Sequence, residues 1–95
     1  MDDAGWTDRF IRHLEFERRL SPLTRKNYRR DLEALADWLH GAGVADWRAV
    51  DGEHIRAFSA ACYRKGLSAR SIQRRLSAAR TFFRFLIREK AVKKN

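Results

Sequence analysis

The sequence predicts an all-α fold, a bundle of four helices. Three observations carry this. Apolar residues recur at spacings of three and four along each long segment, which places them on one helical stripe. The segments are bounded by helix punctuation: Ser21-Pro22, Gly41-Ala42-Gly43, Asp51, Gly66 and Ser68. The chain has 95 residues, enough for one domain with one core.

Residues 1–5 are expected to be disordered. Trp6 to Leu20 reads as a first helix over 7–19, with Thr7 as its cap and Asp8 near the positive end of the dipole. Trp6, Phe10, Ile11 and Leu14 form its inner face, whereas Phe16 and Leu20 fall off that stripe. Ser21 caps a second helix over 22–40, and the chain's one proline, Pro22, takes the first helical position, where its missing N–H costs nothing. Tyr28, Leu32, Leu35 and Leu39 point inward; Lys26, Arg30, Glu33 and Asp37 point outward. Trp47 is a hydrophobic plug in the linker that follows. Asp51 caps a third helix over 52–65, with Ile55, Phe58 and Cys62 inward and Gly66 closing it.

Ser68 opens the longest segment, a helix over 69–90 free of glycine and proline. Ile72, Leu76, Ala79, Phe83 and Leu86 share one stripe, and Arg70, Arg74, Ser77, Thr81, Arg84 and Arg88 share the opposite one. The tail AVKKN reads as the start of a linker. The predicted core is Phe10, Leu14, Tyr28, Leu32, Leu35, Leu39, Ile55, Phe58, Ile72, Leu76, Phe83 and Leu86. On this assignment Leu76→Ala costs about 2–5 kcal/mol. Arg74→Ala, on the wet face, stays within about 0.5 kcal/mol.

Charge is distributed unevenly. The chain carries 21 Lys+Arg against 12 Asp+Glu. Residues 1–66 hold 12 basic and 11 acidic side chains, and residues 67–95 hold 9 basic and 1 acidic. Solubility alone needs no such stripe, because ordinary surfaces mix both signs; a concentrated basic face more often meets phosphate. The second helix carries its bases first (Arg25, Lys26, Arg29, Arg30) and its acids later (Glu33, Asp37), opposite to what the helix dipole favours. Bases beside free first-turn N–H groups suit an anionic partner.

Other functions find less support. No apolar run spans a bilayer, and the acidic start MDDAGWTD is no signal peptide, so a cytoplasmic location is expected. Cys62 is alone, and His13 and His40 are isolated, so no disulfide framework, metal site or cofactor is expected. The sequence shows no acid/base pair and no glycine-rich phosphate loop, and no small-molecule substrate is expected. A helical protein–protein adaptor needs an apolar patch, for which only Phe16, Leu20 and Phe85 qualify. A membrane-surface binder needs the apolar face that the long helix uses to close the core.

Two motifs point to a family. LSPLTRKNYRRDLEALADWL at 20–39, followed by RKGLSARSIQRRLSAARTFFRFL at 64–86, resembles the N-terminal core-binding domain of Xer-type tyrosine recombinases, most like the XerC branch. The resemblance covers about Phe10 to Asn95. It implies a four-helix, SAM-like orthogonal bundle forming half of a clamp around DNA, with residues 1–95 as the DNA-binding domain and catalysis in a separate domain. It implies double-stranded DNA and other recombinase protomers as partners, and a role in chromosome dimer resolution; another basic module, such as a phage-type integrase arm, is the alternative. Carried over by position, the DNA contacts are Thr24, Lys26 and Asn27 on the second helix, and Arg70, Ser71, Arg74 and Arg75 on the fourth. The wet faces add Arg30, Ser77 and Thr81. Lys26, Arg70 and Arg74 are expected to face one segment of major groove, with Arg84 and Arg88 beyond it. Neither Tyr28 nor Tyr63 is expected to be a nucleophile.

Overall fold

Each helix of the computed structural model stops where the backbone turns left-handed. The structure describes residues 5–93. The order is α1 (Trp6–Phe16), α2 (Pro22–Gly41), a 3₁₀ turn (Trp47–Ala49), α3 (Gly52–Arg64) and α4 (Ala69–Arg88), with no strand among the described residues. The expected all-α bundle is what the chain forms. Of the disorder expected for residues 1–5, only Gly5 falls within the described residues; Lys94 and Asn95 of the tail also lie outside them.

Three of the four starts are capped by side chains. The Ser21 hydroxyl accepts from the Thr24 N–H at 3.2 Å, and the Ser68 hydroxyl accepts from the Ser71 N–H at 3.1 Å. Asp51 accepts from the His54 N–H at 3.0 Å while the His54 ring accepts from the Asp51 N–H at 3.1 Å, a reciprocal capping box. The first helix departs from expectation. Its cap position is Gly5, with φ of 66°, and Thr7 lies buried inside the helix. Trp6 is drawn into the helix and packs edge-on against Phe85, 6.4 Å between ring centroids.

The ends explain the lengths. Gly66 (φ 88°) lets its own N–H reach the Tyr63 carbonyl at 3.0 Å and the Leu67 N–H reach the Cys62 carbonyl at 3.1 Å. Lys90 (φ 61°) ends α4 in the same way, with the Ala91 N–H donating to the Leu86 carbonyl at 2.9 Å. Arg19 (φ 51°) does so for α1, with the Leu20 N–H donating to the Leu14 carbonyl at 3.0 Å. Neither Lys90 nor Arg19 is a glycine, so both stops are hard to read from sequence, and both helices end earlier than their expected limits of 90 and 19.

The core gathers Phe10, Ile11 and Leu14 of α1, Leu32, Leu35 and Leu39 of α2, Phe58 and Cys62 of α3, and Ile72, Ala79, Phe82, Phe85 and Leu86 of α4. Trp47 plugs it from the linker, edge-on to Phe82 at 4.9 Å. Four expected core residues, Tyr28, Ile55, Leu76 and Phe83, are only half-buried and pack against its margin. The reason is that α4 packs against α1, α2 and α3 together. Its buried arc is therefore broad, and its centre is turned toward Phe82 and Phe85. Leu76 and Phe83 fall at one edge, where with Ile55, Val50 and Ile87 they line an open groove of about 890 Å³. Phe85 is buried and unavailable as an adaptor patch, whereas Phe16 is 71% exposed.

Phe82→Ala should accordingly cost about 3–5 kcal/mol, as removal of a fully buried aromatic does. Leu76→Ala should cost less, about 1–2 kcal/mol, because only part of its surface leaves water. Urea denaturation of the two variants checks the order; a larger loss for Leu76→Ala would put the centre of the buried arc back where periodicity alone places it.

Candidate nucleic-acid interface

The basic residues of α2 are sorted by a one-residue phase difference. Arg25 and Arg29, one turn apart, face α1: Arg25 pairs with Glu15 at 3.0 Å and Arg29 with Asp8 at 2.8 Å. Lys26 and Arg30, also one turn apart, are exposed and have no ion-pair partner among the described residues. The expected outward placement of Lys26 and Arg30 is what the fold produces.

On α4 the expected wet stripe is present with one change. Arg70, Arg74, Ser77, Arg84 and Arg88 are exposed, and Thr81 is half-buried. Arg70 and Arg84 have no ion-pair partner among the described residues. The Ser77 hydroxyl accepts from Arg80 at 3.0 Å. Arg88 lies over the Phe85 ring, 5.5 Å from its centroid.

The two helices begin alike. Ser21 donates its hydroxyl hydrogen to Thr24 Oγ1 at 2.9 Å, and Ser68 donates to Ser71 Oγ at 3.1 Å, so each cap places two hydroxyls at the first turn. Neither first turn contains an acid, whereas α1 has Asp8 and α3 has Glu53 there. Acids at a helix start stabilise it, and their absence from α2 and α4 leaves two positive helix ends uncompensated. Thr24 is exposed, and Asn27 and Ser71 are half-buried. Arg75 is turned away from the stripe toward α3, where its Nη1 donates to Cys62 Sγ at 3.6 Å.

The residue that sequence reasoning missed is Asp31. It is 3% exposed, yet acidic. Arg74 reaches across from α4 and grips it with two donors, Nε to Oδ2 at 3.0 Å and Nη2 to Oδ1 at 3.1 Å. The carboxylate in turn raises the pKa of Arg74, through these hydrogen bonds first and its charge second. The pair ties the first half of α2 to the first half of α4, and these two helices share the most extensive contact in the bundle. The signal was present: Asp31 stands three residues after Tyr28 and four before Leu35, on the inner side of α2. A buried carboxylate requires a cation or donors.

The family model for the phage integrase N-terminal SAM-like domain matches residues 7–90. The chain belongs to that family. It is 41% identical over 88 residues to "Tyrosine recombinase XerC" of Escherichia coli O157:H7, and equally to those of Shigella flexneri and of Escherichia coli strain K12 / DH10B. Each match covers 93% of this chain but 30% of the relative, so the chain spans less than a third of the length of the curated relatives it matches. The resemblance drawn from the two motifs is therefore borne out. No solved structure matches the chain. Among the described residues no helix is long and apolar enough to cross a membrane.

The ion pair reverses one expectation. Arg74→Ala leaves Asp31 buried without its cation, so it should cost about 1–3 kcal/mol rather than almost nothing. The cost stays below that of a fully buried pair because the Arg74 side chain is 46% exposed. Arg70→Ala, on the same stripe but without an ion-pair partner among the described residues, should change stability by less than about 0.5 kcal/mol. Thermal melts of the two variants check this; equal melting temperatures would mean that the pair contributes nothing.

Proposed function

We propose that this chain is the DNA-binding domain of a tyrosine site-specific recombinase, gripping duplex DNA through the basic faces of α2 and α4. The observation that carries the reading is the common design of these two helices. Each opens on a serine cap with paired hydroxyls, has no acid in its first turn, and carries bases unpaired among the described residues, Lys26 and Arg30 on one and Arg70 on the other. Phosphate is the ligand that such surfaces suit. Thr24, Asn27, Ser71, Ser77 and Thr81 supply short polar groups along the same faces, and Arg74 stands between the helices. Arg75, turned toward α3, is the least suited of the carried-over contacts.

The strand-cleaving chemistry belongs, in this reading, to a segment outside these 95 residues. The Tyr28 ring packs edge-on against Phe10, 5.7 Å between centroids, and Tyr63 is 76% exposed on α3. Neither hydroxyl has a hydrogen-bond partner among the described residues that would activate it. Other recombinase protomers are the expected protein partners, and the cytoplasm the expected compartment.

The test is fluorescence anisotropy with a labelled duplex over a series of salt concentrations. Affinity should fall steeply with salt, by a slope of about −0.9 for each phosphate neutralised. Lys26→Ala, Arg30→Ala and Arg70→Ala should each reduce that slope by about one. Stronger binding to anionic lipid vesicles than to the duplex, or slopes untouched by all three changes, would defeat the reading. Incubation with a nicked duplex and denaturing electrophoresis should show no covalent adduct; a band abolished by Tyr28→Phe or Tyr63→Phe would return catalysis to this chain.

A further inference from the structure

An acid between two helices that face phosphate calls for an explanation. Phosphate repels a carboxylate, and a small apolar residue would fill the same position without a charge. Asp31 escapes direct repulsion by being 3% exposed, beneath a guanidinium that is itself 46% exposed. The geometry of the pair then decides what Arg74 can do. A guanidinium has five N–H donors in one plane. Asp31 takes the Nε–H and one Nη2–H. Three donors remain, two on Nη1 and one on Nη2, and the adjacent pair forms a second fork at the end of the side chain. Such a fork matches a bidentate acceptor, either two phosphate oxygens or the O6/N7 edge of guanine.

Two considerations bear on the choice, the first limiting Arg74 to this fork and the second favouring the base edge. Arg74 cannot leave Asp31 for a phosphate without stranding a buried carboxylate, so it keeps the pair and offers only the end-on fork. The pair is also neutral as a unit, so it adds little to the sequence-independent attraction that Lys26, Arg30 and Arg70 provide. It adds direction instead, because the carboxylate fixes the plane of the guanidinium before any ligand arrives. We propose that Asp31 is a specificity-determining residue of the DNA interface: it positions Arg74 to read a base edge and cancels the charge by which Arg74 would otherwise bind any sequence. This rests on the DNA-binding reading above.

The inference predicts changes of opposite sign, which a structural role does not. Asp31→Asn keeps the shape of the side chain but removes its charge and frees Arg74. Binding to a duplex of scrambled sequence should become tighter, with a salt slope steeper by about one. Discrimination between the preferred and scrambled duplexes should fall about tenfold or more, the value of one bidentate base contact. If Asp31 served the fold alone, affinity for both duplexes would fall together. Arg74→Lys provides the second arm: it keeps a cation beside Asp31 but has no fork, and should lose discrimination to the same degree.

The experiment starts by selecting the preferred duplex with the wild-type chain from a pool of randomised duplexes. Anisotropy titrations of that duplex and its scrambled counterpart follow, for wild type, Asp31→Asn and Arg74→Lys, below the melting temperature of each. Loss of discrimination with tighter scrambled binding supports the inference. A ratio within about twofold of wild type for both variants, or a parallel loss of both affinities in folded Asp31→Asn, overturns it. Should Asp31→Asn fail to fold, the ratio for Arg74→Lys decides alone. A wild-type chain that binds duplexes but selects no sequence overturns this inference and leaves the DNA-binding reading standing; one that binds no duplex overturns both.

Discussion

Helix α4 is packed against all three other helices, and that constraint governs the rest of the molecule. A chain of this size has room for one core, so its longest helices must serve as both interior and surface. The inner arc of α4 holds Ile72, Ala78, Ala79, Phe82, Phe85 and Leu86. The strip through Arg70, Arg74, Ser77, Arg84 and Arg88, flanked by Ala69, Gln73 and Arg80, is left for solvent. Concentration of charge on that strip is thus partly forced by topology. Its single sign is not forced, because mixed charges would solvate the strip equally well.

The same economy operates on α2 with a finer division. Positions 25 and 29 look toward α1 and meet Glu15 and Asp8, while positions 26 and 30 look outward and meet no acid among the described residues. A surface ion pair contributes little to stability. These two matter more for what they remove, since they neutralise the bases that point at a neighbouring helix. Four adjacent cations in sequence therefore become two structural and two available. A count of charges along the chain overstates the available cationic surface by the number that the fold consumes.

Local signals were the most legible part of the sequence. Ser21, Asp51 and Ser68 act within three residues, and the structure places each of them as a cap. Gly66 was readable as a stop because glycine is the ordinary residue at a left-handed position; Arg19 and Lys90 were not, because they reach it against preference. The core face of α4 was half legible. Periodicity marks an apolar arc but not its centre when partners lie on several sides, and so Leu76 and Phe83 were placed too deep and Phe82 and Phe85 too shallow. Charge placement was least legible. Lys26, Arg30 and Arg70 lie as expected, but Arg74 and Asp31, forty-three residues apart in sequence, could be joined only by reading Asp31 as buried and then asking what neutralises it.

That question has a wider consequence for how the acids of this chain are distributed. Acids stand in the first turns of α1 and α3, where they oppose the positive helix ends, and are missing from those of α2 and α4. Stability alone would favour acids at all four starts. The two helices that forgo this contribution hold Lys26, Arg30 and Arg70 exposed and without an ion-pair partner among the described residues, and the acid placed between them, Asp31, is buried and bound. In the first halves of α2 and α4 the one acid is thus held in a cross-link, while Glu33 and Asp37 stand exposed further along α2. A fold selected for stability only has no reason to keep acids out of those two first turns, whereas the proposed DNA-binding role supplies one.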